Sequence, residues 1–155
     1  MRLAIGSDHA GYQLKEELAE HLREAGHEVD DLGTHSEDSV DYPGYGALVA
    51  RTVVAGKADY GVCICGTGIG IGIAANKVRG ARAAIVHDAT SARMARQHND
   101  ANIVCVGARV TGPQAAADAI DAFLGAEFEG GRHQRRIDAI AGIEQEEGTA
   151  GRWPA

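Results

Sequence analysis

No stretch of this chain approaches the roughly 20 consecutive apolar residues that a membrane-spanning helix needs. Met1 to Ile5 run directly into a strand-like stretch, with no charged segment leading into an apolar core. A secretory leader is therefore not expected, and the cytoplasm is the expected location. Positive charge is in short supply: 15 Lys and Arg against 22 Asp and Glu give a formal net charge of −7. That disfavours general nucleic-acid binding, which needs a basic surface to displace counterions. Cysteine is scarce, with only Cys63, Cys65 and Cys105. The number is odd, and two cysteines two apart in a strand have poor geometry for a disulfide. All three are expected to be reduced. The seven histidines do not fall at metal-binding spacings. A Cys-x-Cys pair without a second pair or a His-x3-His is not a zinc signature, so no metal and no other cofactor is expected.

What is present alternates. Arg2 to Ser7 is an apolar run that reads as a buried strand. Tyr12 to Ala25 carries Leu14, Leu18, Leu22 and Ala25 at helical spacing and is stopped by Gly26. A weaker strand covers Glu28 to Leu32, and Pro43 opens a helix to about Ala55. Ala58 to Cys65 is a third strand, followed by a glycine-rich turn and a helix ending near Lys77. Strands at Ala81 to Val86 and Asn102 to Val106 flank a helix from Asp88 to about His98. Helices from Thr111 to about Leu124 and from Arg132 to about Glu146 complete the pattern. A chain of 155 residues suits one domain. The expected class is α/β: a three-layer α/β/α, Rossmann-like fold with a five-stranded parallel sheet. Residues 1–147 form the domain, with the helix at 132–146 a candidate for packing on a partner subunit. Residues 148–155 form a loose tail without assigned function.

In doubly wound sheets, ligands sit outside the carboxyl ends of the strands. That rule selects Asp8-His9, Cys65-Gly66-Thr67, His87-Asp88 and Arg109. The most informative segment is Cys65-Gly66-Thr67-Gly68-Ile69-Gly70-Ile71-Gly72. Alternating glycines directly after a strand let the backbone approach a ligand, and their N–H groups suit an anion or a developing oxyanion. The plainer alternative is glycine for tight strand–helix packing. A Walker A loop is excluded because Ile73, not Lys, follows Gly72. A cysteine-phosphatase loop would need arginine where Ile71 stands. The match to a dinucleotide fingerprint, Gly70-x-Gly72-x-x-Ala75, begins too far past the strand. Cys65 thus stands at the mouth of an amide-lined pocket, where the same dipoles favour a thiolate. Cys63 and Cys105 read as small buried hydrophobes.

His98 poses a geometric question. Its helix starts at the carboxyl edge and runs about ten residues, roughly 15 Å, so it finishes at the opposite edge. Either His98 is a cap or surface residue, or it serves a neighbouring subunit. Arg132 and Arg136, at i and i+4, share a helix face. Two guanidinium forks suit a phosphate; a solvated basic face, with or without pairing to local glutamates, is the equal alternative.

Taken together, the segments Ser7-Asp8-His9-Ala10-Gly11, Asp41-Tyr42-Pro43, Ile64 to Gly70, Ala74-Ala75-Asn76-Lys77, Arg96-Gln97-His98-Asn99, Gly107-Ala108-Arg109 and Glu129 to Arg136 resemble the type B ribose-5-phosphate isomerases, a group that includes galactose-6-phosphate and allose-6-phosphate isomerases. The resemblance runs from residue 1 to about 147. One branch of that family uses a cysteine base at the position of Cys65, and the other a glutamate at the position of Ile71. This chain resembles the cysteine branch. The resemblance implies Cys65 as the base, His98 as the group that opens the furanose ring, Asp8 as its helper, and Thr67 as an aid to proton transfer at the substrate oxygens. It implies His9, Arg109, Arg132 and Arg136 as phosphate ligands. Tyr42, Asn99 and the amides of Gly66, Thr67, Gly68, Ile69 and Gly70 would contact the sugar. It also implies a homodimer, or a dimer of such dimers, with sites shared between chains.

The implied chemistry moves one proton between adjacent carbons through an enediolate. It needs a base, oxyanion donors, a ring opener and a phosphate handle. Three rivals stay open: an isomerase of a four- or six-carbon sugar phosphate, a non-catalytic phosphosugar-binding module, and a nicotinamide-dependent oxidoreductase.

Overall fold

The structure, a computed structural model, describes residues 1–149. Five strands and six helices alternate along the chain. They are β1 (Arg2–Ser7), α1 (Tyr12–Glu24), β2 (Glu28–Asp31), α2 (Tyr42–Val54), β3 (Tyr60–Cys65), α3 (Ile69–Ala75), β4 (Ala83–Ile85), α4 (Ala89–Asn99), β5 (Ile103–Gly107), α5 (Pro113–Leu124) and α6 (Arg132–Thr149). The strands form one sheet in the order β2-β1-β3-β5-β4, and every neighbouring pair is parallel. The expected α/β architecture is the observed one.

Strand alternation decides what each face carries. Val62 and Ile64 of β3 join Leu3, Ile5, Val104 and Val106 on the face covered by α1, α4 and α5. Cys63 and Cys65 point the other way, toward Val49 and Val53 of α2 and Ile71 of α3. Leu14, Leu18 and Leu22 of α1 are all buried against the first face. Each fully buried leucine contributes about 2 kcal/mol, and Leu18→Ala would cost about 3 kcal/mol once the cavity is counted.

The helix starts have local causes. The Asp88 carboxylate accepts the Ser91 N–H at 2.8 Å and caps α4, which holds its pKa below the usual carboxylate value. Pro43 lies in the first turn of α2, where its missing N–H costs nothing.

Several ends differ from expectation. The helix expected to reach Lys77 stops at Ala75, because Asn76 turns to the edge strand. Its Nδ2 donates to the Ala83 carbonyl and its Oδ1 accepts the Ala83 N–H, both at 2.8 Å. β4 is shortened to three residues and β3 begins at Tyr60 rather than Ala58. The last helix continues to Thr149, so Gly148 and Thr149 belong to it and not to a loose tail. The remainder of the expected tail, 150–155, lies outside the described residues.

Candidate active site

Cys65 closes β3 and is almost fully buried. Its sulfur accepts the Gly68 N–H at 3.2 Å. That contact requires Gly68 in the left-handed region, at φ 78°. A Cβ there would sit 2.9 Å from the Val106 carbonyl carbon, so only glycine fits. The turn is then locked to the end of β5. The Ala108 N–H donates to the Cys65 carbonyl and the Arg109 N–H to the Gly66 carbonyl, both at 2.9 Å. This pairing carries the Arg109 side chain over Gly66. Thr67 Oγ1 accepts the Ile69 N–H at 3.2 Å. Gly70 admits the Tyr42 ring, which a Cβ would meet at 2.6 Å.

Asp8, His9, Tyr42, Cys65, Gly66, Thr67, Ile69, Gly70 and Arg109 line one cleft of about 500 Å³ at the carboxyl edge, a volume suited to a small metabolite. Gly68 supports it from within the turn. Asp8 is buried and its Oδ1 accepts the Gly11 N–H at 3.1 Å. The Val40 N–H donates to His9 Nδ1 at 3.1 Å. The same Nδ1 lies 3.2 Å from the Val40 carbonyl, so the Val40 backbone occupies this side of the ring and leaves Nε2 as the nitrogen free for a ligand. Two of the residues selected by the carboxyl-end rule are absent from the cleft lining: Asp88 is spent on capping α4, and His87 does not line the cleft. Cys105 is fully buried, and its thiol is pushed well above its usual pKa by the Cys63 thiol beside it and by burial, as befits an inert core residue.

His98, Asn99, Arg132 and Arg136 are elsewhere. α4 runs back from the carboxyl edge, and the chain re-enters the sheet through Asn102, whose carbonyl accepts the Gly61 N–H at the start of β3. From Gly61 to Cys65 is about 13 Å along the strand. His98 therefore lies at the amino edge, on the side of the sheet end remote from Cys65. Asn99 lines a separate groove of about 570 Å³ with Asn76, Lys77, Arg82, Ile140 and Ile143.

At that edge the structure adds two residues to which sequence reasoning assigned no role. His133 is buried and its ring stacks on His98, with centroids 4.4 Å apart and planes 7° from parallel. Burial, then the His98 charge and then Arg132, lower the His133 pKa. Glu129 faces both rings, its Oε2 lying 4.0 Å from His98 Nε2 and 3.7 Å from His133 Nε2. The available signal was the i,i+4 spacing of Glu129 and His133, the acid standing just before the last helix and the histidine in its first turn. Arg132 and Arg136 are exposed and form no salt bridge among the described residues. Pairing with local glutamates is therefore not seen, and a solvated basic face fits this exposure as well as a phosphate handle does.

The ribose/galactose isomerase family model matches residues 3–140. The chain belongs to that family. Within the ribose/galactose isomerases it is 51% identical to ribose-5-phosphate isomerase B of Escherichia coli K12, over 93% of this chain and 97% of the relative. The structure of Clostridium thermocellum ribose-5-phosphate isomerase B superposes with a TM-score of 0.94 at 53% identity, covering 95% of this chain and 99% of that one. Ribose-5-phosphate isomerase B of Mycoplasma genitalium, solved with bound ribulose-5-phosphate, gives a TM-score of 0.89 at 44% identity, covering 94% and 97%.

Proposed function

We propose that this protein interconverts ribose 5-phosphate and ribulose 5-phosphate. The single observation that carries the reading is the cleft itself: a cysteine sulfur held by a turn amide, with Thr67, His9 and Arg109 around it. Cys65 removes the proton from the carbon beside the carbonyl, and Thr67 attends the oxygens as the enediolate forms. The turn amides not used by Cys65 stabilise the developing oxyanion. His9 Nε2 and Arg109 offer donors to the phosphate.

The ring-opening step falls to His98, and Arg132 and Arg136 complete the phosphate clamp. These residues sit at the amino edge of the same chain, so the complete site is formed when a second copy brings its His98 end to the first copy's Cys65 cleft. The assembly is therefore a homodimer with two equivalent shared sites. Ile140 and Ile143 of α6 remain half or more exposed and suit packing on that partner. No helix of the described residues is long and apolar enough to cross a membrane; we place the enzyme in the cytoplasm with its diffusible substrate.

The test is a substrate panel with purified protein: ribose 5-phosphate, free ribose, allose 6-phosphate, galactose 6-phosphate and a tetrose phosphate. Turnover is expected to be fastest on ribose 5-phosphate and negligible on ribose. No turnover of any phosphate, with binding retained, would favour a binding module instead.

A further inference from the structure

The last turn of α4 carries His98 and Asn99, and the residue that follows ties it to the sheet. Asp100 stands at φ 44° and ψ 41°, the one non-glycine residue at positive φ among the described residues. After glycine, Asp and Asn tolerate that conformation best. The Asp100 N–H closes the helix on the Arg96 carbonyl at 3.1 Å. Its carboxylate then meets two guanidinium groups.

Arg96 Nη1 donates to Asp100 Oδ1 and to the Ala101 carbonyl, both at 2.7 Å. The Arg96 side chain is buried, with its guanidinium carbon 4.8 Å from the centre of the Tyr60 ring, at the start of β3. Arg82, just before β4, donates from Nη2 to Asp100 Oδ2 at 2.8 Å and from Nε to the Asp100 carbonyl at 2.9 Å. The Arg82 N–H is itself held by Asn102 Oδ1 at 2.8 Å, just before β5. Each carboxylate oxygen thus has its own guanidinium partner, and such pairs fix direction as well as distance. The end of α4 is thereby bound to the amino ends of β3, β4 and β5. None of the three charged residues lines the Cys65 cleft.

We propose that Asp100, clamped between Arg82 and Arg96, is the positioning residue of the amino-edge half of the site. It holds the turn in which His98 and Asn99 are presented to a second copy's Cys65 cleft. Helix ends are the parts of a helix that open most easily, so a catalytic residue in a last turn needs such a clamp. A second tether, the Glu129 N–H on the Gln97 carbonyl at 3.0 Å, means that loss of the carboxylate loosens the turn without unfolding the helix. The kinetic consequence rests on the function proposed above, whereas the placement of His98 does not. Ribose 5-phosphate enters as a closed furanose. Ribulose 5-phosphate cannot close one, because its C5 oxygen carries the phosphate. A displaced His98 therefore slows the aldose direction most, since aldose made from the ketose can leave as the open chain and close in water.

The test uses the full-length protein and two variants. Asp100→Gly keeps the positive φ and removes the carboxylate. Arg82→Met removes one jaw of the clamp at a side chain 30% exposed, and it decides the matter if the first variant fails to fold. Turnover of ribose 5-phosphate should fall about tenfold or more in Asp100→Gly, and turnover of ribulose 5-phosphate by less than about threefold. Arg82→Met should show the same bias, and the double variant should be no worse than the more damaged single one. Equal losses in both directions, or no loss, would overturn the positioning role, because a merely structural defect lowers both alike. NMR of histidine-labelled protein gives a readout besides activity. The His98 ring is stacked on His133 with centroids 4.4 Å apart, so its protons carry a ring-current shift, assigned by its loss in His98→Ala. That shift should shrink in folded Asp100→Gly, and an unmoved resonance would also overturn the proposal. Absence of isomerase activity in the wild type would sink the proposed function, while the NMR still decides whether the clamp places His98.

Discussion

The Gly68 amide donates to the Cys65 sulfur across 3.2 Å. The turn that aims this donor has Gly68 at φ 78°, and Cys65, almost fully buried beside Ile71, lines the floor of the cleft. Truncating this thiol removes one sulfur atom from the packing but the whole of the proposed base. Cys65→Ala should therefore abolish turnover while leaving the unfolding midpoint and sugar-phosphate binding largely intact. Steady-state kinetics check it: a variant keeping more than about a tenth of wild-type kcat, a loss below about 1.4 kcal/mol, would remove Cys65 as the base.

The two guanidinium groups at the start of α6, without a salt bridge among the described residues, lead to a different kinetic signature. Arg132→Ala and Arg136→Ala should chiefly raise KM, by roughly 1.5–3 kcal/mol of lost binding for a charge-assisted hydrogen bond. Stability should hardly move, since both side chains are exposed. A fall in kcat at unchanged KM would mean that these arginines act on the reacting carbons and not on the phosphate.

A buried charge sets the acid limit of the fold. Lys15 is completely buried and pairs with Asp31 and Glu16. Burial pushes the Asp31 carboxyl up, but hydrogen bonds from Lys15 and the Gly33 N–H outweigh it and hold the pKa below the usual value. A depressed folded-state pKa means stability present above the unfolded carboxyl range, near 3.9, and lost as pH falls through the folded value. Asp31→Asn should cost about 3 kcal/mol at neutral pH, because it leaves Lys15 less compensated. Urea unfolding at about pH 7 and about pH 3 tests this: the gap between wild type and variant should narrow at the lower pH. A gap independent of pH would mean the pair contributes packing alone.

The extent to which the sequence foretold the site follows from locality. The Cys65 turn was readable because its parts are contiguous: strand end, alternating glycines, helix. Even there the two readings of the glycines divide. Gly68 serves the turn, whereas a Cβ on Gly72 would meet Ile85 at 2.7 Å, which is packing. Which face Cys65 occupies could not be read, since β3 is apolar on both sides and shows no alternation. The remoteness of His98 followed from helix length and direction alone. His133 and Glu129 did not follow, because their meeting with His98 depends on how α6 docks against α4. The support of His9 by Val40 was equally invisible, coming from an irregular segment without periodicity.

The position of His98 leads to the most demanding experiment. Cys65 ends a strand at the carboxyl edge, and His98 ends the helix that returns from that edge. A right-handed βαβ unit cannot bring those two ends together within one chain. If both residues act in one reaction, each site must draw Cys65 from one subunit and His98 from the other, and two-fold symmetry then makes two such sites. Cys65→Ala and His98→Ala should each be inactive alone. Mixed under conditions that exchange subunits, they form dimers with one doubly damaged site and one intact site. With statistical exchange half the dimers are mixed and each has one good site of two, so activity should return to as much as about a quarter of wild type. Subunit exchange is verified separately with differently tagged copies. Proven exchange without recovery would place both residues in a single chain's site, and the assignment of His98 to the ring-opening step would fall with the shared-site arrangement.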